Sequence, residues 1–353
     1  MALRPLEAYV AYLAARHEQD QEAIAASLAV DLYPLWTMVD FQSLDKTMPM
    51  WLAGVLPRIK TAYLQSQRVA AVFTQNVRFA SLPLDEPLHI AVPNVEKPLS
   101  ISTNAFAMPD LGLGLLRDIT APFETQRVAT SLTVEANYKT KKAMPGLEDE
   151  LMDNALVRSS GAAVKEAING SRDVVKNITR IDQKLIGYAR VTDSNPCHFC
   201  ALLASRGAVY EEDSFSPEND TRKEGRKSDA DFTPNKNAPD LPEGFSDVAK
   251  VHNNCKCTLR PVYAKSQSLD EAARYYRKGW KNVYNANPKM SSTGQVNEFR
   301  KWLKNNPYEG SQLDIYKLEQ ELRDRENSLL QAGFHPNSPQ VKWAIAQRNN
   351  FAA

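Results

Sequence analysis

The chain reads as a mostly helical α+β protein: an N-terminal helical region, a small α/β unit that holds every cysteine, and a helical C-terminal tail. Three observations predict this. Apolar residues recur at helical spacing over most of residues 1–80 and again beyond Tyr263. A single β-branched and aromatic run, ending at the turn Asp193-Ser194-Asn195-Pro196, breaks that rhythm. All four cysteines fall between positions 197 and 257, which marks one local site rather than a spread disulfide framework.

The length of 353 residues allows two or three domains with a real core. Hydrophobic residues at 43% and charged residues at 24% are ordinary globular usage, and a formal net charge of +1 says nothing global about partners, so any electrostatic signal is local. No run of about 18 apolar residues occurs, and no transmembrane helix is expected. The start, Met1-Ala2-Leu3-Arg4-Pro5, runs into Leu6, Tyr9, Val10 and Leu13 as an amphipathic helix without the apolar core and cleavage site of a signal peptide. A protein made and used in a cytoplasm, or packaged from one, is expected.

Residues 1–80 divide into three helical stretches: the first helix, a second carrying Ala26, Leu28, Ala29 and Leu32, and a third from about Met50 to Phe79. The third places Trp51, Leu52, Val55, Leu56, Ile59, Ala62 and Tyr63 on one stripe, with Pro57 as the expected kink. Residues 81–144 read as a Pro-rich connection with short strands, Leu88–Val92 among them, because Pro83, Pro87, Pro93, Pro98 and Pro109 oppose helix. The unit from 145 to 264 opens on helical stripes through Leu147, Leu151 and Ala155, then Ala162, Val164, Ala167 and Ile168, then Val174, Val175, Ile178 and Ile181. A strand follows within 183–193. Residues 211–250, rich in Asp, Glu, Asn, Pro and Lys, read as a solvated loop between the halves of the cysteine site. In the tail, 265–353, three helical stripes are followed by Ser338-Pro339, the N-cap and first residue of a last short helix.

Cys197-His198-Phe199-Cys200 is a C-x-x-C knuckle, a spacing that lets two thiolates share one tetrahedral zinc. The second half, His252-Asn253-Asn254-Cys255-Lys256-Cys257, offers three more donors, one beyond what a closed tetrahedral site needs. The favoured set is Cys197, Cys200, His252 and Cys255. Cys257 is the substitute for one of the last two, because a C-x-C does not easily turn both thiolates onto one ion beside a nearby histidine. Free buried cysteines and a pair of disulfides are the plainer readings, disfavoured by the clustering beside a histidine and by a cytosolic origin. A catalytic zinc would want an open position and a neighbouring acid or base, and Glu211 and Glu212 have no distinctive spacing for that role. His198, inside the knuckle, points away from a metal held by its flanking cysteines.

With these residues in place, Gly187–Tyr210, which includes the Cys197–Cys200 knuckle, resembles the heart of the phage Mu F-like (MuF) minor head protein family, especially its actinobacterial-phage branch. The resemblance continues in His252-x-x-Cys255-x-Cys257-Thr-Leu-Arg-Pro261 and covers about 80 residues. Many relatives have Pro after the histidine and Arg between the last cysteines, where this chain has Asn253 and Lys256; ligand type is unchanged. The resemblance implies a small zinc-stabilised α/β domain and a virion component: a minor capsid protein inside the head near the portal, acting in head morphogenesis, DNA packaging or delivery. Some relatives are labelled capsid maturation proteases, but no G-x-S-x-G or H-E-x-x-H occurs here, and His17, His89 and His335 lie in unrelated segments. A protease, an HNH-like nuclease and a zinc-ribbon nucleic-acid adaptor are the rival readings. An HNH nuclease needs a second catalytic histidine that His252-Asn253 lacks.

Local charge adds one more expectation. From Lys250 to Lys304 twelve Lys or Arg stand against Asp270, Glu271 and Glu298, with Tyr275, Tyr276, Trp280, Tyr284 and Trp302 interleaved. Such a segment suits packaged double-stranded DNA, without base reading, or an acidic face of the portal or another head protein. Arg277, Lys278 and Lys281 flank Trp280 and are the candidate contacts. The plainer reading is a solvated helix face with its aromatics in the core.

Overall fold

The first helix, α1 (Glu7–Leu32), runs without interruption through the two segments that the apolar pattern separates. Nothing between Arg16 and Ala26 breaks helix, since that stretch lacks both Gly and Pro. The computed structural model describes residues 6–85, 88, 95, 119–193, 195–208, 255–310 and 314–351. Short 3₁₀ turns at Tyr33–Met38 and Phe41–Ser43 lead into α2 (Leu44–Ser81), whose helix continues through Pro49 and Pro57. The expected stripe is its buried face, with Trp51, Val55, Ile59, Ala62 and Tyr63 inside.

Residues 125–142 differ from the expected connection. They form α3 (Thr125–Thr133), a π-helical turn (Val134–Tyr138) and α4 (Lys139–Lys142). Val128, Leu132, Ala136 and Thr140 recur every four residues and are fully buried, a stripe hidden in the sequence by the Thr, Gln, Asn and Lys around it. Of the expected strand at Leu88–Val92 only Leu88 lies within the described residues, and residues 211–250 lie outside them.

The three stripes after Ala143 belong to a single helix, α5 (Glu148–Ile181), with Glu148, Asp149 and Glu150 in its first turn, where the helix dipole favours acids. It lies along α2 so closely that a Cβ on Gly170 would stand 2.3 Å from the Tyr63 carbonyl oxygen. Only glycine permits that approach.

Two strands, β1 (Gly187–Val191) and β2 (Thr258–Val262), pair antiparallel with Gly187 opposite Val262 and Val191 opposite Thr258. Every residue of both is buried, because helices cover both faces. Tyr188 and Leu259 pack on Val175 of α5, while Val191 joins a core with Tyr9, Phe73 and Trp343. A short helix, α6 (His198–Ala204), follows β1. After β2 come α7 (Glu271–Ala286), α8 (Ser292–Asn305), α9 (Ile315–Gln331) and α10 (Pro339–Asn349). Asp270, Ser291, Asp314 and Ser338 cap them by accepting backbone N–H groups of the first turn.

The last two helices return to the first. Trp343 stacks on Phe79 and meets Tyr9 edge-on, its Nε1 donates to Asn76 Oδ1 at 2.9 Å, and Tyr9 donates to Gln347 Oε1 at 2.8 Å. No single helix among the described residues is long and apolar enough to cross a membrane.

A buried polar seam joins α1, α2 and α5. His17 Nε2 lies 2.9 Å from Ser171 Oγ, the Ser171 N–H donates to Ser66 Oγ, and Ser66 Oγ donates to Gln21 Oε1. The His17 ring lies flat on Phe73, 4.2 Å away, and its Nδ1 has no partner. Burial lowers the His17 pKa to about 3. A depressed folded value means that the unfolded chain takes up the proton first, so the stabilisation is complete above about pH 6.5 and is lost as pH falls toward 3. Unfolding titrations should therefore show a His17 contribution that declines from pH 6.5 to 5, and His17→Gln should remove it. An identical slope in the variant would assign the decline to other groups.

Candidate metal centre

The cysteine site is built where the strand pair ends. With Val191 opposite Thr258, the residues just after β1 run beside those just before β2, which brings Asp193 near Cys257. The Cys257 thiol lies 3.8 Å from Asp193 Oδ2. The chain after Asp193 then delivers Cys197 as the N-cap of α6, where its sulfur accepts the Cys200 N–H at 3.4 Å. That cap turns Cys200 inward, and α6 packs on β1 and α7 through Ala201, Ala204 and Leu203.

Cys200, Cys255 and Cys257 come together with their sulfurs all within 4.8 Å of one another. Each is about 1% exposed, and Cys197 packs against the trio. Cys200 and Cys255 sulfurs are 3.6 Å apart. No disulfide joins any of the four. Both thiols of the C-x-C are in the cluster, including Cys257, which the spacing argument held in reserve. Lys256 sends its side chain out toward Glu22 while Cys255 and Cys257 on either side point inward. His252 lies outside the described residues.

Two guanidiniums, absent from the sequence argument, enclose the sulfurs. Arg172 of α5 donates to Cys255 Sγ at 3.4 Å, to the Cys255 carbonyl at 2.8 Å and to the Cys257 carbonyl at 2.8 and 3.1 Å. Arg190 of β1 donates to Cys200 Sγ at 3.4 Å and to Cys255 Sγ at 3.7 Å. Alternation along β1 could have flagged Arg190, an arginine within an otherwise apolar strand. Arg172 offered no signal, because it is separated from the second cysteine pair by more than 80 residues.

Crowded sulfurs resist ionisation. Hydrogen bonds from Cys197, Cys255 and Cys257, with burial, push the Cys200 thiol far above the ordinary range. For Cys257 the Cys200 hydrogen bond acts downward, but Cys255 and burial outweigh it and the thiol is raised. Burial, then the Cys255 charge, also raise Asp193. A divalent cation among these sulfurs would reverse that repulsion. The donor set fits a soft tetrahedral ion: zinc–thiolate bonds near 2.3 Å set sulfurs about 3.8 Å apart, close to the Cys200–Cys255 spacing.

The remaining histidines are elsewhere. His17 is in the helical seam, His335 is exposed and accepts the Asn337 N–H, and His198 is half-buried beside the knuckle; His89, like His252, is outside the described residues. The His17–Ser171 pair has the elements of a nucleophile and base, but both are sealed in the bundle core and His17 Nδ1 lacks an orienting partner.

The basic helices stand on the other side of α6. Arg277, Lys278 and Lys281 are exposed on α7, as are Arg300, Lys301 and Lys304 on α8. The interleaved aromatics mostly turn inward: Tyr276 and Phe299 are buried, Trp280 meets Phe299 edge-on, and Trp302 lies where a Cβ on Gly279 would be.

No curated protein and no solved structure matches the chain. The family described as VG15 protein, a phage-associated family, matches residues 116–287, just under half of the chain. The matched span begins before α3, contains all four cysteines and both arginines around them, and ends at the close of α7, so the similarity to a phage family falls on the part of the fold that forms the cluster.

Proposed function

We propose that this chain is a MuF-like minor head protein of a tailed phage, a structural component of the head interior near the portal, pinned by one structural zinc. The observation that carries the reading is the convergence of two cysteine pairs, distant in sequence, into one buried cluster within the span similar to a phage family. Cys197, Cys200, Cys255 and Cys257 would hold the ion. Zinc would supply a fixed tetrahedral cross-link between α6 and the start of β2, and its binding energy would be folding energy. A closed four-thiolate set leaves no position for a reacting water, which favours a structural over a hydrolytic role.

Two partners suit the exposed basic face of α7 and α8. Duplex phosphates are one, held without sequence preference; a portal surface or another head protein is the other. Because the aromatics other than Tyr284 pack between the helices, this reading rests on phosphates and not on base stacking.

Full-length protein purified without chelator should carry about one zinc per chain. Cys200→Ser and Cys257→Ser should each release it and lower the melting temperature, while His252→Ala should keep it. Loss in His252→Ala with retention in Cys257→Ser would return the ligand set to the histidine alternative, and no zinc in the wild type would remove the metal reading.

The location is tested on purified virions. The protein should be found by peptide mass spectrometry and be shielded from added protease until heads are opened. Absence from virions would overturn the head-protein reading.

For the partners, replacing Arg277, Lys278 and Lys281 together with Gln should weaken duplex binding. Its salt dependence should flatten by roughly 0.9 log unit for each phosphate that is no longer neutralised. Unchanged DNA binding with depletion from assembled heads would assign the face to a protein partner.

A further inference from the structure

A centre of four thiolates and one divalent ion carries two negative charges, and this one is almost fully buried. Net charge left in a low-dielectric interior is costly unless opposite charge is placed against it. Arg172 and Arg190 are 5% and 3% exposed, and both direct N–H groups onto the sulfurs. Two guanidiniums supply the two positive charges that the loaded centre lacks. Asp193, Glu22 and Lys256 are charged groups further out, with Lys256 acting on Asp193 and lying 3.9 Å from Glu22.

We propose that Arg172 and Arg190 are the charge-balancing residues of this centre, and that Arg172 also positions the C-x-C segment. The inference rests on the metal reading above. The two roles separate by geometry. Arg190 reaches sulfur atoms, where any cation at the same distance would serve. Arg172 forks across the carbonyls of Cys255 and Cys257 as well as a sulfur, and is itself held by Asn169 Oδ1 at 2.7 Å. A planar guanidinium with several N–H groups can make those bonds together, whereas an ammonium cannot. Because Arg172 is two residues after Gly170, the C-x-C segment is thereby tied to the close approach of α2 and α5.

The test compares zinc affinity of the full chain by competition with a chromophoric chelator. Arg172→Gln and Arg190→Gln should each weaken zinc about 10- to 100-fold, the usual cost of removing a partner that supports metal ligands. Arg190→Lys should recover most of the loss, and Arg172→Lys only a small part. Cobalt(II) loaded in place of zinc should keep its sulfur-to-metal charge-transfer and tetrahedral ligand-field bands in all four variants, since the ligands themselves are untouched. Wild-type affinity in both glutamine variants would overturn the proposal while leaving the metal centre standing. Equal losses of stability with and without metal would also overturn it, reducing both arginines to packing. A wild-type chain that binds neither zinc nor cobalt would overturn the metal reading and this inference with it. Should Arg172→Gln fail to fold, the Arg190 pair of variants decides the charge-balancing role by itself.

Discussion

The close approach of α2 and α5 at Gly170 constrains the rest of the molecule. Once the Tyr63 carbonyl occupies the place of a side chain, the rotation and register of α5 are fixed along its length. Successive residues then fall to different tasks: Ser171 enters the polar seam with His17 and Ser66, and Arg172 reaches the cysteines. The helical bundle and the small sheet therefore share one rigid element. They are not two bodies joined by a linker.

Buried charge is handled the same way in two places. Glu166 on α5 has no exposed surface, and burial alone would raise its pKa; Lys165 at 3.1 Å and Arg127 at 2.7 Å more than reverse this and hold the carboxyl below its ordinary range. At the cysteine cluster the guanidiniums of Arg172 and Arg190 face the sulfurs. Both groupings draw on α5, whose long path through the core gives it access to distant segments. Breaking such a group by removing one member strands the others without water, which costs more than the net strength of any pair within it.

Much of the architecture was legible because it depends on local rules. The stripe of α2, the strand before Asp193, and the Ser338-Pro339 start of α10 follow from periodicity and capping, and all appear where those rules put them. That the cysteines share one local site was legible too, although the spacing favoured His252 over Cys257, whereas Cys200, Cys255 and Cys257 converge. Three things were not. Residues 125–142 hide a four-residue apolar rhythm among polar neighbours. The C-terminal helices look like a tail because their partners, Tyr9, Phe79 and Asn76, lie at the far end of the sequence. The arginines at the cluster are invisible for the same reason: no local pattern says which buried charge a helix will carry to a site made elsewhere.

The return of α10 to α1 has a consequence for how the chain matures. Tyr9 and Gln347 are 338 positions apart, so their contact waits until all the helices between them have been made. Until α10 leaves the ribosome, the aromatic faces of Tyr9, Tyr12 and Phe79 lack the cover that Trp343 and Phe351 later provide. The N-terminal helices must therefore wait with a sticky apolar surface on display, during which any neighbouring molecule offering an indole or phenyl ring competes for it. Closure by α10 ends that competition.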